Sequence, residues 1–191
     1  MLETMVQDLL KPEAFPDPTK RVRLVQTHIS LVFVADEFVY KVKKPVNFGF
    51  LDFTTLEKRA FYCRQELDLN RRLAKDIYLS VLSIRFDGKK YSMRSRKGKI
   101  VEHAVRMKRI SEKRLMKSLY ERGALTENHL RRLARALATF HVHALRTAKI
   151  DMFGEPDRFR INTDENFVQI HKYTGISIEK EQFGALQDWT D

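Results

Sequence analysis

The spacing of apolar and polar positions predicts a sheet in the first half of the chain. From Val22 onward, three short apolar segments follow one another with only brief polar junctions between them. Short runs of this kind are typical of strands, and such tight junctions favour an antiparallel meander. The segments are RVRLVQTHI (residues 21–29), LVFVAD (residues 31–36) and EFVYKVKKPV (residues 37–46).

Two helices are predicted on either side of these strands. An apolar stripe at helical spacing ends at Lys11-Pro12, which predicts a short appended helix and turn over residues 1–19. Thr54 and Glu57 match a capping box, and apolar positions recur behind them, which predicts a helix from about residue 55 to 74. The stripes are Leu2, Met5, Val6 and Leu9 in the first helix, and Leu56, Ala60, Cys63, Leu67 and Ala74 in the second.

Two or three more strands are predicted after the second helix. Asp87-Gly88 is a hairpin signal between YLSVLSIRF and KKYSMRS, and Gly98 marks the turn into KIVEHAVRM. Together with the first three, these segments predict an α+β unit of five or six strands and one helix.

The remainder of the chain, residues 111–191, is predicted to be helical. Ser111 can begin a helix that Gly123 ends, because glycine tolerates the left-handed conformation found after helices. Thr126 is a candidate cap for a longer helix with leucines on one face. After residue 153 the chain becomes acidic and weakly patterned, and no terminal element is predicted.

Positive charge is concentrated in the middle of the chain. The net charge is +11. Residues 81–149 contain 19 basic and 5 acidic side chains, a net charge of +14, whereas residues 150–191 have a net charge of −5. This distribution suggests an anionic partner such as a nucleotide or nucleic acid, although solvated strand and helix faces would give the same pattern.

Composition excludes several classes of protein. No apolar run approaches the roughly 18 to 20 residues that cross a bilayer, and the N-terminus lacks the features of a signal peptide. We therefore expect a cytoplasmic protein without a membrane partner. Cys63 is the single cysteine, so neither an internal disulfide nor a cysteine zinc site is expected. His141 and His143 fall on different faces of a helix, unlike a same-face metal pair.

The most informative chemical pair is Lys41 with Glu66. Lys41 lies in the third predicted strand, where alternation places it on the face opposite Val42, and Glu66 lies about three turns into the following helix. A strand lysine and a helix glutamate that pack together can form an ion pair. Such a pair holds the ammonium group where it can contact nucleotide phosphates, although strand lysines and helix glutamates are common in α/β proteins.

The amino-acid sequence around this pair resembles that of a known family. Over roughly residues 10–170, and most specifically in VYKVKKPVNFGFLDF, the chain resembles the amino-terminal part of a bacterial aminoglycoside phosphotransferase-like, protein-kinase-like family. Some members of that family carry a further P-loop ATP-binding domain. The resemblance implies a kinase-like small lobe over residues 20–110, with a five-stranded antiparallel sheet and one helix. It also implies the start of an incomplete helical large lobe over residues 111–191.

The resemblance also implies roles for individual residues. Lys41 would contact the phosphates of ATP, and Glu66 would be its partner on the helix. Arg106 to Arg109 would form a hinge whose backbone bonds adenine, which makes Met107 and Lys108 candidate nucleotide contacts. The loop QTHIS has no glycine, so Thr27, Ser30 and backbone amides would be left to cover the phosphates.

One part of the family pattern is absent. After residue 150 there is neither a catalytic loop of the HGD type nor a following acidic motif for Mg²⁺. Phosphoryl transfer depends on positioning and on charge neutralisation by that metal. The resemblance therefore implies the ATP-binding part of a small-molecule kinase, truncated before its catalytic loop and inactive by itself, with the metal ligands supplied by the missing part.

Two other functions fit the same residues. A basic nucleic-acid-binding module would use a cationic cluster on the Asp87-Gly88 hairpin, and its binding would depend steeply on salt. A catalytically inactive pseudokinase would act as a scaffold. The hairpin cluster consists of Arg85, Lys89, Lys90, Arg94, Arg96 and Lys97.

Overall fold

The computed structural model describes residues 2–190 as a mixed α+β protein. It divides into two compact units, one up to Ala136 and the other from Leu137 onward. The division falls later in the chain than the predicted boundary at residues 110–111. The first unit contains the whole sheet and therefore every residue that the sequence assigns to a nucleotide site.

The first unit contains six strands and four helices, the last of which continues into the second unit. The strands are β1 (Arg23–Gln26), β2 (Ser30–Val34), β3 (Phe38–Lys43), β4 (Tyr78–Phe86), β5 (Tyr91–Ser92) and β6 (Lys99–Lys108). The helices are α1 (Leu2–Leu9), α2 (Leu56–Ala74), α3 (Met116–Glu121) and α4 (Glu127–Val142). Short 3-10 turns at Pro12–Ala14 and Glu112–Arg114 complete the unit.

The strands form one antiparallel sheet in the order β1-β2-β3-β6-β4-β5. The predicted meander of the first three strands is confirmed, with Val32 opposite Lys41 in the β2–β3 register. The sheet has six strands, one more than the family resemblance implies. The sixth strand is a pair of residues, Tyr91–Ser92, which forms the outer edge of the sheet beside β4.

Two glycines shape the turns of the β4–β5–β6 region, as the sequence predicts. Gly88 has a φ of +99°, which the hairpin after Asp87 requires. Gly98 has a φ of +94°, and a Cβ at this position would lie 2.3 Å from the carbonyl oxygen of Phe86. A side chain at either position would therefore strain the turn, and at residue 98 it would also push the chain away from β4.

Helix α1 packs on one face of the sheet. Leu9 and Phe15 are buried in the same apolar cluster as Tyr40 and Val42 of β3. Backbone bonds join the segment to the edge strand, since Met93 donates its N–H to the carbonyl of Ala14 at 2.8 Å. The structure thus differs from the prediction of an appended element over residues 1–19, because this segment supplies part of the core.

A polar cluster attaches the segment after α1 to the sheet. The Asp17 carboxylate accepts hydrogen bonds from the Tyr40 hydroxyl at 2.5 Å and from Nε of Arg106 at 2.8 Å. The Arg106 guanidinium also lies 4.0 Å from the ring centre of Phe38. Burial, together with the hydrogen bond to Asp17, raises the pKa of Tyr40, so this hydroxyl remains a donor at all ordinary pH values.

Helix α2 lies against the opposite face of the sheet. Its observed range of Leu56–Ala74 confirms the predicted helix, but its N-cap is Thr55, whose hydroxyl accepts from the N–H of Lys58. The predicted cap, Thr54, instead bonds the side chain of Asp52 at 2.6 Å. Ala60 and Cys63, which belong to the predicted apolar stripe, are buried. The pattern located the helix correctly because the stripe is the face that meets the sheet.

The chain after residue 110 is helical, as predicted, with differences in detail. The helix predicted from Ser111 to Gly123 is a 3-10 turn followed by α3, and Gly123 has the expected positive φ of +65°. The second unit adds α5 (Ala148–Asp151), α6 (Pro156–His171) and α7 (Lys180–Thr190). The prediction that no terminal element exists is therefore wrong. Among the helices described, none combines the length and apolarity needed to cross a membrane.

Candidate functional site

Lys41 and Glu66 form the predicted ion pair. Nζ of Lys41 on β3 lies 2.8 Å from Oε1 of Glu66 on α2. The Lys41 side chain keeps 28% of its surface exposed, and that of Glu66 keeps 13%. The pair therefore forms where α2 meets the sheet, and the Lys41 side chain remains partly exposed.

A second lysine binds the same carboxylate. Nζ of Lys43 lies 2.7 Å from Oε2 of Glu66, so each carboxylate oxygen accepts from a different lysine. The sequence-based prediction did not include Lys43 in the site, although the strand period of two places it on the same face as Lys41. The lysine at every second strand position is the signal that could have revealed it.

The ion pairs determine the ionisation of Glu66. Burial favours the neutral carboxyl group, but the hydrogen bonds from Lys41 and Lys43 outweigh it and lower the pKa of Glu66 below its ordinary value. Glu66 is thus a fixed anion at neutral pH. With two lysines on one carboxylate, the three side chains have a formal net charge of +1.

An apolar strip lies beside the charged group on the same face of the sheet. In the strand register, Val39 is paired with Val34 on one side and with Met107 on the other. Val39 and Lys41 share a face because they are two residues apart in β3. All three apolar side chains of this strip are only half-buried. A flat apolar group could therefore rest on the strip with its polar end near Lys41.

The turn between β1 and β2 holds the two hydroxyl residues predicted to cover phosphates. The Thr27 hydroxyl accepts from the N–H of Ser30 at 2.9 Å, and the N–H of Thr27 donates to the carbonyl of Ser30. Thr27 is exposed, whereas Ser30 is fully buried and its hydroxyl has no hydrogen-bond partner. Of the two side chains, only that of Thr27 reaches the surface.

The predicted hinge residues Arg106, Met107 and Lys108 lie inside β6 rather than in a linker. The N–H of Lys108 donates to the carbonyl of Ile77 at 2.8 Å, and the N–H of Arg109 donates to the carbonyl of Glu37 at 2.8 Å. The amides of Lys108 and Arg109 are thus used within the fold. Met107 adjoins the site through its side chain, in the apolar strip.

A buried ion pair holds the first turns of α2 on the sheet. Nε of Arg59 lies 2.7 Å from Oε2 of Glu102 on β6, and both side chains are at most 10% exposed. Nη1 of Arg59 also donates to the carbonyls of Phe53 and Thr54. Burial raises the pKa of Glu102, against the lowering effect of the His103 N–H and of Arg59. Arg59 fixes the helix on which Glu66 is carried.

Similarity searches find relatives but no assigned family. No protein-family model matches the chain, and no solved structure matches it. An uncharacterized protein of Mycobacterium tuberculosis strain H37Rv is 32% identical over 166 residues, which cover 87% of this chain and 32% of the relative. An uncharacterized protein of Mycobacterium bovis matches with the same figures. The chain spans about a third of the length of these curated relatives.

Metal ligands are not gathered near the site. Nowhere in residues 2–190 do three histidine, cysteine, aspartate or glutamate side chains form a group that could hold a metal ion. The residues described therefore do not fit the Mg²⁺ that the family resemblance implies.

The lowered pKa of Glu66 predicts a pH-dependent contribution to stability. Its folded pKa lies below the unfolded value of about 4.3, so the ionised carboxylate stabilises the fold above that pH. This contribution is lost as the pH falls through the lower folded pKa. We expect the urea midpoints of wild type and Glu66→Gln to differ at pH 7 and to converge below about pH 4.3.

The matched control for this titration is Glu37→Gln, since Glu37 is an exposed residue of the same unit. Its urea midpoint at pH 7 should match that of the wild type. A difference between wild type and Glu66→Gln that does not change with pH would contradict the prediction.

Proposed function

We propose that the first unit binds ATP and is the nucleotide-binding part of an aminoglycoside phosphotransferase-like kinase that phosphorylates a small molecule. The observation that carries this proposal is the Lys41–Glu66 ion pair at 2.8 Å, in which the Lys41 side chain remains partly exposed. A positioned ammonium group is the usual protein contact for the phosphates of a nucleotide in this class of enzyme.

The surroundings of the pair support a nucleotide as the ligand. The purine ring is flat and largely apolar, and the strip of Val34, Val39 and Met107 is a half-exposed surface of matching character. The net charge of +1 on Lys41, Lys43 and Glu66 favours an anionic group next to that strip. The proposal thus places the base on the strip and the phosphates beside Lys41.

Phosphate transfer is not part of the proposed activity of this chain by itself. We propose that the catalytic loop and the ligands for Mg²⁺ belong to a part of the kinase that this sequence does not contain. The acceptor would be a small molecule bound by that other part.

Thermal unfolding with ATP tests the proposal. At 100 times its dissociation constant, ATP should stabilise the full chain by about 2.7 kcal/mol, a shift of roughly 5 to 10 °C. Lys41→Met should weaken binding roughly 10- to 100-fold, because it removes a charge-assisted hydrogen bond to phosphate. Lys99→Met serves as the control, since Lys99 is an exposed lysine at the start of β6.

Two results would contradict nucleotide binding at this site. One is a wild-type chain that gains no stability from ATP with or without Mg²⁺. The other is a Lys41→Met variant that binds ATP as tightly as Lys99→Met does.

A nucleic-acid-binding module is the second candidate function. Five of the six cations in the predicted hairpin cluster are exposed, while Arg85 donates to the carbonyl of Gly98 at 2.8 Å. This function predicts binding of DNA or RNA whose affinity falls steeply as the salt concentration rises. The double variant Lys89→Ala/Lys97→Ala should bind nucleic acid more weakly than the wild type. Stabilisation by nucleic acid without stabilisation by ATP would favour it over the first proposal.

A further inference from the structure

The two lysines that bind Glu66 differ in their freedom to move. The Lys41 side chain is 28% exposed, and its ammonium group can turn toward solvent or a ligand. The Lys43 side chain is only 6% exposed. Moving the Lys43 ammonium away from Glu66 would leave a buried charge without its partner, which costs far more than the same movement at the surface.

Lys43 is also held from its other sides. Its Nζ lies 4.7 Å from the ring centre of Phe53, which is itself buried and precedes α2. Across the sheet it is directly opposite Ser30, another fully buried residue. A cation between a carboxylate and an aromatic face is favoured in place. Lys43 therefore connects β3, α2 and the loop before α2 at one fixed point.

We propose that Lys43 is a positioning residue of the nucleotide site: it holds the Glu66 carboxylate in place, so that Lys41 can turn its ammonium group to the phosphates of ATP. This inference rests on the proposed function of the unit. Without Lys43, Glu66 would have Lys41 as its one ammonium partner, and each contact of Lys41 with phosphate would leave a buried carboxylate uncompensated.

Two neighbouring ionisable groups, Cys63 and Glu102, do not compete for the two lysines. Cys63 lies one turn earlier on α2, and burial raises the pKa of its thiol to about 11, so it is neutral at pH 7. Glu102 on β6 is engaged with Arg59 and with the N–H of His103. Glu66 is therefore the anion that both lysines share, and the remaining positive charge is available to a phosphate.

A double-mutant cycle tests whether Lys43 acts through Glu66. ATP affinity is measured by calorimetry for the wild type, Lys43→Met, Glu66→Gln and the double variant, with Lys99→Met as the control. We expect Lys43→Met to weaken binding about tenfold, equal to about 1.4 kcal/mol. In the Glu66→Gln background, Lys43→Met should have no further effect, because the carboxylate that Lys43 positions is then absent.

A second measurement does not depend on ATP. Carbon-13 NMR follows the Glu66 carboxyl group during a pH titration of the ligand-free chain. Its midpoint should rise in Lys43→Met, because one of the two hydrogen bonds that lower the pKa is lost, and should stay unchanged in Lys99→Met. Lys43→Arg keeps the charge and should keep most of the ATP affinity. Lys43→Gln, which also removes the charge, replaces Lys43→Met in the cycle if that variant does not fold.

The outcomes separate this inference from the proposed function. If the wild type binds no ATP, the proposed function fails and the positioning role fails with it. If the wild type binds ATP but Lys43→Met binds equally well, the positioning role alone is wrong. If Lys43→Met weakens ATP binding by the same factor in the wild-type background and in the Glu66→Gln background, Lys43 contacts the nucleotide directly and the inference is overturned.

Discussion

Replacing Arg59 with methionine should destabilise the protein by about 3 to 5 kcal/mol, the usual cost of removing one partner from a buried ion pair. Glu102 would lose the guanidinium at 2.7 Å while remaining buried. The carbonyls of Phe53 and Thr54 would lose their donor as well. Urea unfolding at pH 7 measures the change.

The control for this variant is Arg64→Met, because Arg64 is an exposed arginine on the same helix. It should change stability by no more than about 0.5 kcal/mol. Replacing both partners, as Arg59→Met with Glu102→Leu, should restore much of the lost stability, since no buried charge then lacks its partner. A loss below about 1 kcal/mol in Arg59→Met would mean that this pair does not hold α2 on the sheet.

The Arg59 variant also bears on the site. Glu66 is two turns further along α2, and its two hydrogen bonds require that helix to keep its place on the sheet. Loosening the first turns of α2 should therefore weaken ATP binding even though Arg59 contacts no ligand. Arg64→Met should leave the affinity unchanged.

Truncating Leu9 to alanine should destabilise the first unit by about 2 to 5 kcal/mol, as expected when a large apolar side chain is removed from a packed core. Leu9 is fully buried against the face of the sheet that carries Tyr40 and Val42. Thermal unfolding of the full chain measures the effect.

Leu2→Ala on the same helix is the matched control, because Leu2 is 40% exposed. Its effect should be within about 0.5 kcal/mol. If Leu9→Ala costs no more than Leu2→Ala, residues 1–19 are an appendage, as the sequence pattern predicts, rather than a part of the core.

Prediction from sequence was accurate where the signal was local. Strand β4 and the hairpin after Asp87-Gly88 were located correctly because a turn residue and an apolar run identify them within a few positions. It was less accurate where two capping residues stood side by side. Thr54 and Thr55 can both cap a helix, and the competing bond between Thr54 and Asp52 decides between them.

For the candidate site, too, one prediction from sequence was correct and another was wrong. The strand period and the helix spacing allowed the pairing of Lys41 with Glu66, the family resemblance singled it out, and the ion pair is confirmed. The hinge expected at Arg106 to Arg109 depended on where β6 ends, and the pairing of Lys108 with Phe38 extends that strand beyond the predicted end. The helices α6 and α7 were missed because their apolar positions are sparse and weakly periodic.

The sequence by itself determined the meander of β1 to β3, the helix α2 that follows it and the face on which Lys41 lies, because alternation and helical spacing are properties of neighbouring residues. Tertiary structure alone decided that α1 belongs to the core, that Arg59 meets Glu102 and that Lys43 shares Glu66. These contacts join residues at least 20 positions apart. The strand period places Lys43 on the same face as Lys41, but whether Lys43 reaches Glu66, and whether Arg59 reaches Glu102, depends on how α2 packs on the sheet.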